Sequence, residues 1–346
     1  MGAIVSLNNR ILSCLEQREA GMNLISHLGE LYLAGHTLEA GITTCKEYLW
    51  SGVYSSLDIL GEEAKTKEDA DRFLAGYCRA MDLFVRLREE EELLSLGNVV
   101  SISMKPSAVC VVNSTSSEIS FSSETPLFDR LDEGMGYAYH RKLPVTIDME
   151  DHRFTEATLS AARDLWLNGY SNTGIVLQSR LHRTEDDIKR FLKNQNYHFP
   201  KEEIRVRLCI GIYQELEDVA VTSKREAKKR LLSRLENLFD VGVYVEIATH
   251  DSHVINKAQE IIRRRGIPVD RYEFQFLKGV PVAEKKIIPR LLDEGKTCRL
   301  YMPVELHLGD GLPYIIRRCK ANPWMMWYGA KNMAQGMRYG DNEKNK

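Results

Sequence analysis

The sequence lacks a surplus of charge of either sign. Its 346 residues include 47 Lys and Arg against 49 Asp and Glu, which leaves a net charge of −2. Nucleic-acid-binding domains carry a basic surface that neutralises phosphates, so this balance argues against that class. Hydrophobic residues make up 43% of the chain and charged residues 28%, as in ordinary globular proteins. We therefore expect a folded protein with a large core and no nucleic-acid partner.

Long hydrophobic runs are also missing. Among the longest apolar segments is Val243–Ala248, and Glu246 interrupts it. A membrane-spanning helix needs about 20 consecutive apolar residues, so no integral membrane segment is predicted. Near the start of the chain, Asn8, Arg10 and Glu16 break up the apolar residues that a secretory signal would need.

The cysteines form no recognisable framework. There are seven, an odd number, and no two of them form a C-x-x-C pair. Disulfide-stabilised proteins and structural zinc sites need paired or regularly spaced cysteines. The pattern therefore predicts a protein of the reducing cytoplasm.

Several catalytic and cofactor motifs are absent. Gly134-Met135-Gly136 lacks the third glycine of a dinucleotide-binding turn, and no phosphate-binding P-loop or G-x-S-x-G elbow occurs. His250 and His253 are three residues apart but have no acidic or thiol pattern around them that is typical of a metal site. The sequence predicts neither a Rossmann nucleotide site nor a metal centre.

What the sequence does contain is an alternation of two kinds of segment. Short apolar, β-branched segments predict eight strands: Val53–Ile59, Val99–Lys105, Val145–Met149, Gly174–Gln178, Arg205–Tyr213, Val243–Thr249, Tyr272–Lys278 and Cys298–Val304. Amphipathic segments between them predict helices, among them Lys65–Leu94, Thr155–Asn168, Thr184–Asn194, Lys224–Phe239 and Ser252–Arg265. Thr184, with Asp187 three residues later, fits a helix start. Eight strands that alternate with helices favour a parallel (β/α)8 barrel, an α/β fold.

The predicted organisation has three parts. Residues 1–50 have no strand pattern and predict a helical extension, residues 51–335 the barrel, and residues 336–346 a polar tail. Val112–Glu124 is rich in Ser and Thr without helical periodicity, which predicts a loop insertion after the second strand.

Polar residues stand near the ends of the predicted strands, where barrel enzymes place their chemistry. They are Asp58, Lys105, Asp148, Gln178, Arg207, Tyr213, Thr249, His250, Glu273, Gln275 and Tyr301. Charges in such apolar strands cost free energy unless they pair or line a solvated or ligand-filled cavity. One such residue is most often half of a structural ion pair, whereas this many together indicate a site.

The last segment adds a possible anion site. After the turn at Gly309-Asp310-Gly311, Leu312–Asn322 predicts a helix on which Tyr314, Arg317 and Arg318 share one face. Two guanidinium groups side by side suit the bidentate capture of a carboxylate or phosphate. An isolated Arg-Arg pair is also common on solvated helix surfaces, so both interpretations stay open.

Eight segments in order resemble the blocks of monofunctional proline dehydrogenases. They are Ser56–Glu62, Ser101–Ala108, Thr146–Asp151, Gly174–Ser179, Arg205–Tyr213, Ile247–Asp251, Tyr272–Gly279 and Tyr314–Asn322. The resemblance spans roughly residues 30 to 330. It implies a distorted (β/α)8 barrel with a final helix over its mouth. It further implies an FAD-dependent enzyme that oxidises L-proline to 1-pyrroline-5-carboxylate by hydride transfer to the flavin N5, the first step of proline catabolism.

The resemblance also implies roles for residues. Lys105, Arg317 and Arg318 would hold the substrate carboxylate, and Tyr301 and Tyr314 would pack on the pyrrolidine ring. Asp148 would orient the cations and completes the predicted catalytic set. Arg207 would lie near the flavin N5 and Gln178 at the isoalloxazine edge. The remaining predicted cofactor-binding residues are Gly211, Tyr213, Thr249, His250, Glu273 and Gln275.

Departures from the family pattern leave other functions open. Ala321 stands where the family usually has Glu, Ile210 where it usually has Lys, and Lys278 where it usually has an aromatic residue. Ile210 is expected to point outward by strand alternation from Arg207. One alternative is a divergent enzyme for another cyclic or N-alkyl amino acid, and a second is a non-catalytic relative that binds amino acid or flavin. A third is a barrel lyase in which Lys105 forms a Schiff base.

The resemblance implies partners as well. A quinone is the expected electron acceptor, and a 1-pyrroline-5-carboxylate dehydrogenase would receive the product. A cytoplasmic protein is expected, with peripheral contact to the inner membrane face as the place where a quinone is met. No amphipathic anchor stands out in the sequence.

Overall fold

The protein is described from a computed structural model that covers residues 31–91, 98–115, 118–194, 196–307, 310–311 and 314–316. Eight parallel strands close into a barrel in the order β1-β10-β9-β8-β7-β6-β5-β2. Their bounds are β1 Tyr54–Leu60, β2 Val100–Met104, β5 Val145–Ile147, β6 Thr173–Gln178, β7 Arg205–Cys209, β8 Tyr244–Ala248, β9 Tyr272–Leu277 and β10 Cys298–Glu305. The predicted (β/α)8 barrel is confirmed, and each predicted strand corresponds to one of these.

Helices lie between the strands. Among the described residues, the α-helices with defined bounds are Leu38–Trp50, Lys67–Glu90, Pro106–Val109, Leu127–His140, His152–Leu167, Thr184–Asp187, Lys224–Val241, Ser252–Arg265 and Ile288–Asp293. Two π-helical turns, Ile188–Leu192 and Ala283–Ile287, adjoin the helices at Asp187 and Ile288. Short 3-10 turns at Lys201–Glu203 and Val269–Arg271 precede β7 and β9.

The alternation of side chains along β1 explains how the barrel is built. Leu57 and Ile59 are fully buried in the apolar core. Ser56 and Asp58 point the other way, into the barrel, and bond to Ser103 and Lys105 respectively, on or just after the neighbouring strand β2. The hydrophobic layer therefore lies between strands and helices, whereas the inside of the barrel is lined by polar residues.

Two sequence predictions fail on local geometry. β7 ends at Cys209, not Tyr213, and Gly211 has a φ of +100°, so strand alternation does not reach Ile210. Ile210 is half-buried against the apolar core. The Thr184 helix starts where predicted, but Thr184 provides no side-chain cap, because its Oγ1 donates to the Gln178 carbonyl at 2.5 Å.

The Ser-rich segment is not a simple loop. It contains β3 (Val112–Ser114) and β4 (Ile119–Phe121), which pair as an antiparallel hairpin. The Phe121 ring meets the Phe154 ring edge-on at 6.1 Å, which attaches the hairpin to the helix that begins at His152. The insertion therefore lies beside the loops that follow β2 and β5.

The first described residues of the chain bond to β10. The backbone N–H of Ala34 donates to the Pro303 carbonyl at 2.6 Å, and the Glu305 N–H donates to the Gly35 carbonyl at 3.1 Å. Helix Leu38–Trp50, capped by the Thr37 side chain, is part of the predicted extension. Residues 1–30 and 317–346 lie outside the described residues, so the three-part division remains a prediction. Among the described helices, none combines the length and the apolar character that crossing a bilayer requires.

Candidate active site

A cluster of charged residues lines the carboxyl end of the barrel. We call Asp58, Lys105, Asp148, Arg207 and Tyr301 the rim cluster. Lys105 directly follows β2, and its Nζ pairs with the Asp58 carboxylate of β1. Asp58 has no exposed surface and Lys105 only 7%. The pair therefore fixes a lysine ammonium inside the barrel mouth.

A second carboxylate of the rim cluster organises the other cation. Asp148 follows β5, and its Oδ1 accepts a hydrogen bond from Arg207 Nη1 at 2.7 Å. Its Oδ2 accepts from the Tyr301 hydroxyl at 2.6 Å. The Arg207 guanidinium also lies over the Tyr301 ring, 5.3 Å from the ring centre. Asp148 therefore sets the orientation of both Arg207 and Tyr301.

Burial and charge act against each other at the Lys105–Asp58 pair. Burial raises the pKa of Asp58 to about 6, although the Lys105 ammonium opposes this. Burial alone would lower the pKa of Lys105, but nearby acidic groups, Asp58 first, outweigh it and raise that pKa. Lys105 consequently keeps its charge at neutral pH.

Two further side chains of the barrel interior also hold Arg207. Its Nε donates to Gln275 Oε1 at 2.6 Å, and its Nη2 donates to the Ser56 hydroxyl at 3.3 Å. The amide of Gln275 in turn donates to Glu273 at 2.6 Å. These contacts leave the guanidinium little freedom to rotate.

Gln178 at the end of β6 has an unused acceptor. Its Nε2 donates to the Glu150 carbonyl at 2.7 Å, whereas its buried Oε1 has no hydrogen-bond partner among the described residues. A Cβ at Gly211 would lie 2.5 Å from that oxygen. Glycine therefore keeps the space beside Gln178 Oε1 open for a ligand that donates a hydrogen bond.

Glu150, which the sequence analysis did not single out, ties the rim loops together. Its Oε2 accepts from the Ser107 N–H at 2.9 Å, and its Oε1 accepts from the Ser107 hydroxyl. Burial raises its pKa to about 7, against the effect of these hydrogen bonds. Because Glu150 also holds Gln178, it joins the loop after Lys105 to the end of β6. Its place two residues after Asp148 was the only sequence clue.

The placement of Glu273 near the carboxyl rim is wrong. It is the second residue of β9, at the amino end of that strand, and is fully buried. Arg299 Nε donates to its Oε1 at 2.6 Å, and Arg205 Nη2 lies 2.9 Å from its Oε2. Burial would raise the pKa of Glu273, but the two arginines outweigh this and hold it well below its usual range. Glu273 therefore lies at the amino end of the barrel strands, where it pairs with two buried arginines.

Glu246 of β8 was also missed. The sequence analysis noted it only because it interrupts an apolar run, yet it is 1% exposed and faces inward. Its Oε1 accepts from Arg205 Nε at 2.7 Å. We call Arg205, Glu246, Glu273 and Arg299 the lower cluster. Alternation from Ala248 at the carboxyl end of β8 would have placed Glu246 inside the barrel.

The other predicted cofactor residues lie on loops at the carboxyl end. Thr249 Oγ1 accepts from the Asp251 N–H at 3.2 Å, and His250 Nε2 accepts from the Leu277 N–H at 3.0 Å. Tyr213 offers its carbonyl to Arg180 Nη1 at 2.7 Å. These contacts fix the loops after β7, β8 and β9. Whether the side chains contact a cofactor remains a prediction.

The predicted final helix is described only in part. Tyr314 is 6% exposed, and residues 314–316 have helical backbone. Arg317, Arg318 and Ala321 lie outside the described residues, as does the rest of the helix. The bidentate anion site predicted there is therefore still a prediction.

The chain matches a known family over most of its length. The family model described as proline dehydrogenase matches residues 42–324. The chain belongs to this family. Proline dehydrogenase 1 of Bacillus subtilis subsp. natto is 28% identical over 292 residues, which cover 84% of this chain and 86% of the relative. The proline dehydrogenase of Deinococcus radiodurans is 24% identical over 313 residues, or 90% and 91% of the two chains. The predicted family is confirmed.

Solved structures of related proteins share the fold. A crystal structure of proline utilization A from Bdellovibrio bacteriovorus, inactivated by N-propargylglycine, aligns with a TM-score of 0.75 and 21% identity. The alignment covers 91% of this chain and 34% of that one, so the chain spans about a third of its length. Bradyrhizobium japonicum proline utilization A aligns with a TM-score of 0.64, also at 21% identity. These likenesses support the barrel independently of the strand assignments.

Proposed function

We propose that this proline dehydrogenase family member is an FAD-dependent enzyme that oxidises L-proline to 1-pyrroline-5-carboxylate, the first step of proline catabolism. The family match over residues 42–324 supports the reaction class. The observation that carries the proposal is the rim cluster, in which two separate carboxylates hold two cations, Lys105 and Arg207, at the barrel mouth. A small zwitterion beside a flavin needs such an arrangement, because a fixed cation orients its carboxylate.

The residues present fit a flavin. The Oε1 of Gln178, which has no partner within the described part of the chain, suits a ring N–H, and Gly211 leaves the adjacent space open. Arg207 and Gln178 would hold the isoalloxazine, with Gly211, Tyr213, Thr249, His250 and Gln275 as the remaining predicted contacts. When bound, the flavin supplies the hydride acceptor. A cationic Arg207 favours negative charge on its partner, as oxidation of the substrate requires.

Substrate binding is assigned to the other half of the rim. Lys105 would bind the carboxylate together with Arg317 and Arg318, and Tyr301 and Tyr314 would pack on the ring. Asp148 would act by orienting Arg207 and Tyr301, since it bonds to both. Nearby cations disfavour a protonated substrate amine, which must be neutral for hydride to leave.

The Schiff-base alternative is disfavoured by the state of Lys105. A nucleophilic lysine needs a neutral amine, which burial or a neighbouring cation usually provides. Here Asp58 pairs with the ammonium, and the pKa of Lys105 is raised. Borohydride trapping of a carbonyl substrate on Lys105 would restore that alternative.

The test of the proposed function is an absorption spectrum. The purified protein, incubated with FAD, should show a flavin band that bleaches when L-proline is added without an acceptor. A band that persists would show that the substrate is another amino acid, and Ala321 would be the first departure from the family pattern to examine. A protein that binds no flavin would overturn the proposal. In the active protein, Arg318→Ala should raise the KM for proline and leave flavin content unchanged.

The partners in the proposal follow from the same chemistry. The electrons must leave the flavin, and we assign them to a quinone-type acceptor, with peripheral contact at the inner membrane face. The product would pass to a 1-pyrroline-5-carboxylate dehydrogenase. Reduction of a soluble ubiquinone analogue by the protein and L-proline tests the acceptor.

A further inference from the structure

Glu246 places a second carboxylate beside Arg207. The two residues are register partners on the neighbouring strands β7 and β8. Glu246 Oε2 lies 3.4 Å from Arg207 Nε, although that N–H donates its hydrogen bond to Gln275. Among the described residues, Oε2 has no hydrogen-bond partner. A buried carboxylate oxygen therefore acts on Arg207 through its charge and not through a hydrogen bond.

The charges of the barrel interior are balanced with Glu246 included. Arg205, Arg207 and Arg299 face three carboxylates of the described interior, those of Asp148, Glu246 and Glu273. All six side chains are nearly or fully buried. Charge interactions are screened much less inside a protein than at its surface. Removal of one carboxylate would leave a net positive charge that groups at the rim can sense.

We infer that Glu246 is a positioning residue that partly neutralises Arg207 and thereby lowers the reduction potential of the bound flavin. This inference rests on the proposed function, because it needs a flavin next to Arg207. A flavin that accepts electrons becomes more negative, so a less neutralised Arg207 would favour the reduced form. Glu246 acts through Arg207 and Arg205 and has no assigned contact with the substrate.

The experiment compares the midpoint potential of bound FAD in three proteins, measured with a chemical reductant. Glu246→Gln removes the charge but keeps the shape, so its potential should be more positive than that of the wild type. Glu246→Asp keeps the charge and should stay near the wild-type potential. Glu236→Gln, a surface control that pairs with Arg264 and Arg265, should show no shift. The KM for proline should change by less than about twofold in the Gln variant.

Each other outcome decides against the inference. The inference is overturned if Glu246→Gln shows no shift of the flavin potential or a negative one. It is also overturned if Glu246→Gln and Glu246→Asp shift the potential equally, since a purely structural role predicts that the shorter Asp side chain changes the potential as well. If Glu246→Gln does not fold, a double variant with Arg205→Met and Glu246→Met replaces it. This variant removes both partners of the ion pair, so neither charge is left buried without its partner. It should show a smaller positive shift, and no shift would overturn the inference.

The inference and the proposed function can fail separately. A wild-type protein that binds FAD but is not reduced by proline would overturn the proposed substrate. The potential of its flavin could still be measured, so the role of Glu246 would still be decided. A wild-type protein that binds no FAD would overturn both.

Discussion

Both the lower cluster and the rim cluster contain buried ion pairs, but the two clusters differ in what their polar groups bind. In the lower cluster, Arg299 donates to both oxygens of Glu273 and also to the carbonyls of Ser55 and Asn98, so its guanidinium is fully used within the protein. At the rim, Gln178 keeps a buried acceptor without a partner among the described residues. The Arg299 guanidinium is satisfied within the protein, whereas the Gln178 oxygen is left for a ligand. The comparison separates an arginine that stabilises the fold from a polar group that remains available to a ligand.

The largest expected effect is a loss of stability on removing an arginine of the lower cluster. Arg299→Met removes the cation between Glu273 and three strands, so the free energy of unfolding should fall by about 3–5 kcal/mol. Urea unfolding followed by circular dichroism measures it. Arg264→Met removes an exposed partner of Glu236 and should change stability by less than about 0.5 kcal/mol. A loss at Arg299 no larger than at Arg264 would contradict the assigned role of the lower cluster.

At the rim, the expected loss is of activity. Lys105→Met should lower kcat/KM for proline by about 10²–10³-fold, because a cation that binds the carboxylate is gone. The variant also leaves Asp58 buried without its partner. The Lys105→Met, Asp58→Asn pair should therefore regain stability but not activity. Recovery of activity in the pair would show that Lys105 is structural.

Glu150 should give stability a pH dependence. Its pKa is raised to about 7, so between about pH 4.5 and 7 the folded state holds a proton that the unfolded chain has lost. Stability from this group should accordingly fall as pH rises through that window, by roughly 1–3 kcal/mol, and stay level above it.

Urea unfolding at pH 5 and pH 8 measures this slope in the wild type and in Glu150→Gln. The variant cannot titrate and should show a smaller difference between the two pH values. An equal slope in both proteins would assign it to another group, such as Asp58, whose pKa is also raised.

The smallest expected effect tests one hydrogen bond at the rim. Tyr301→Phe removes the hydroxyl that donates to Asp148 and keeps the ring that faces Arg207. The expected cost is about 1 kcal/mol, or roughly a fivefold loss of kcat/KM, since Arg207 still holds Asp148. Steady-state kinetics measures it. A loss as large as that of Lys105→Met would mean that the hydroxyl contacts the substrate directly.

The sequence was sufficient for the barrel and for most of the rim. Apolar, β-branched runs such as Val243–Ala248 predict strands from local pattern alone, and each predicted strand lies in the barrel. Asp148, Arg207 and Tyr301 were expected together and do share contacts, and Lys105 pairs with Asp58, which was expected at the same rim. The end of an apolar run shows where a barrel strand ends, so residues at the carboxyl ends of strands can be identified from the sequence.

Depth inside the barrel was not predictable in the same way. Glu273 and Gln275 are two residues apart on one face, yet the first pairs with Arg299 and the second with Arg207. Register between strands decides which polar residues meet, and register depends on all eight strands together. Glu246 was missed for the same reason. The hairpin of the Ser-rich segment, held by Phe121 on Phe154, depends on a contact 33 residues along the chain that no local pattern shows.

The pairing of β1 with β10 has a consequence for how the chain is made. Tyr54 lies beside Arg299 in the register, and about 240 residues separate these strands in the sequence. Contacts between distant parts of a chain form slowly, because a long loop must close first. Until β10 leaves the ribosome, Glu273 has no Arg299 and β1 has an open edge. A nascent chain would thus carry an exposed strand edge until synthesis is nearly complete, and such edges are prone to aggregation.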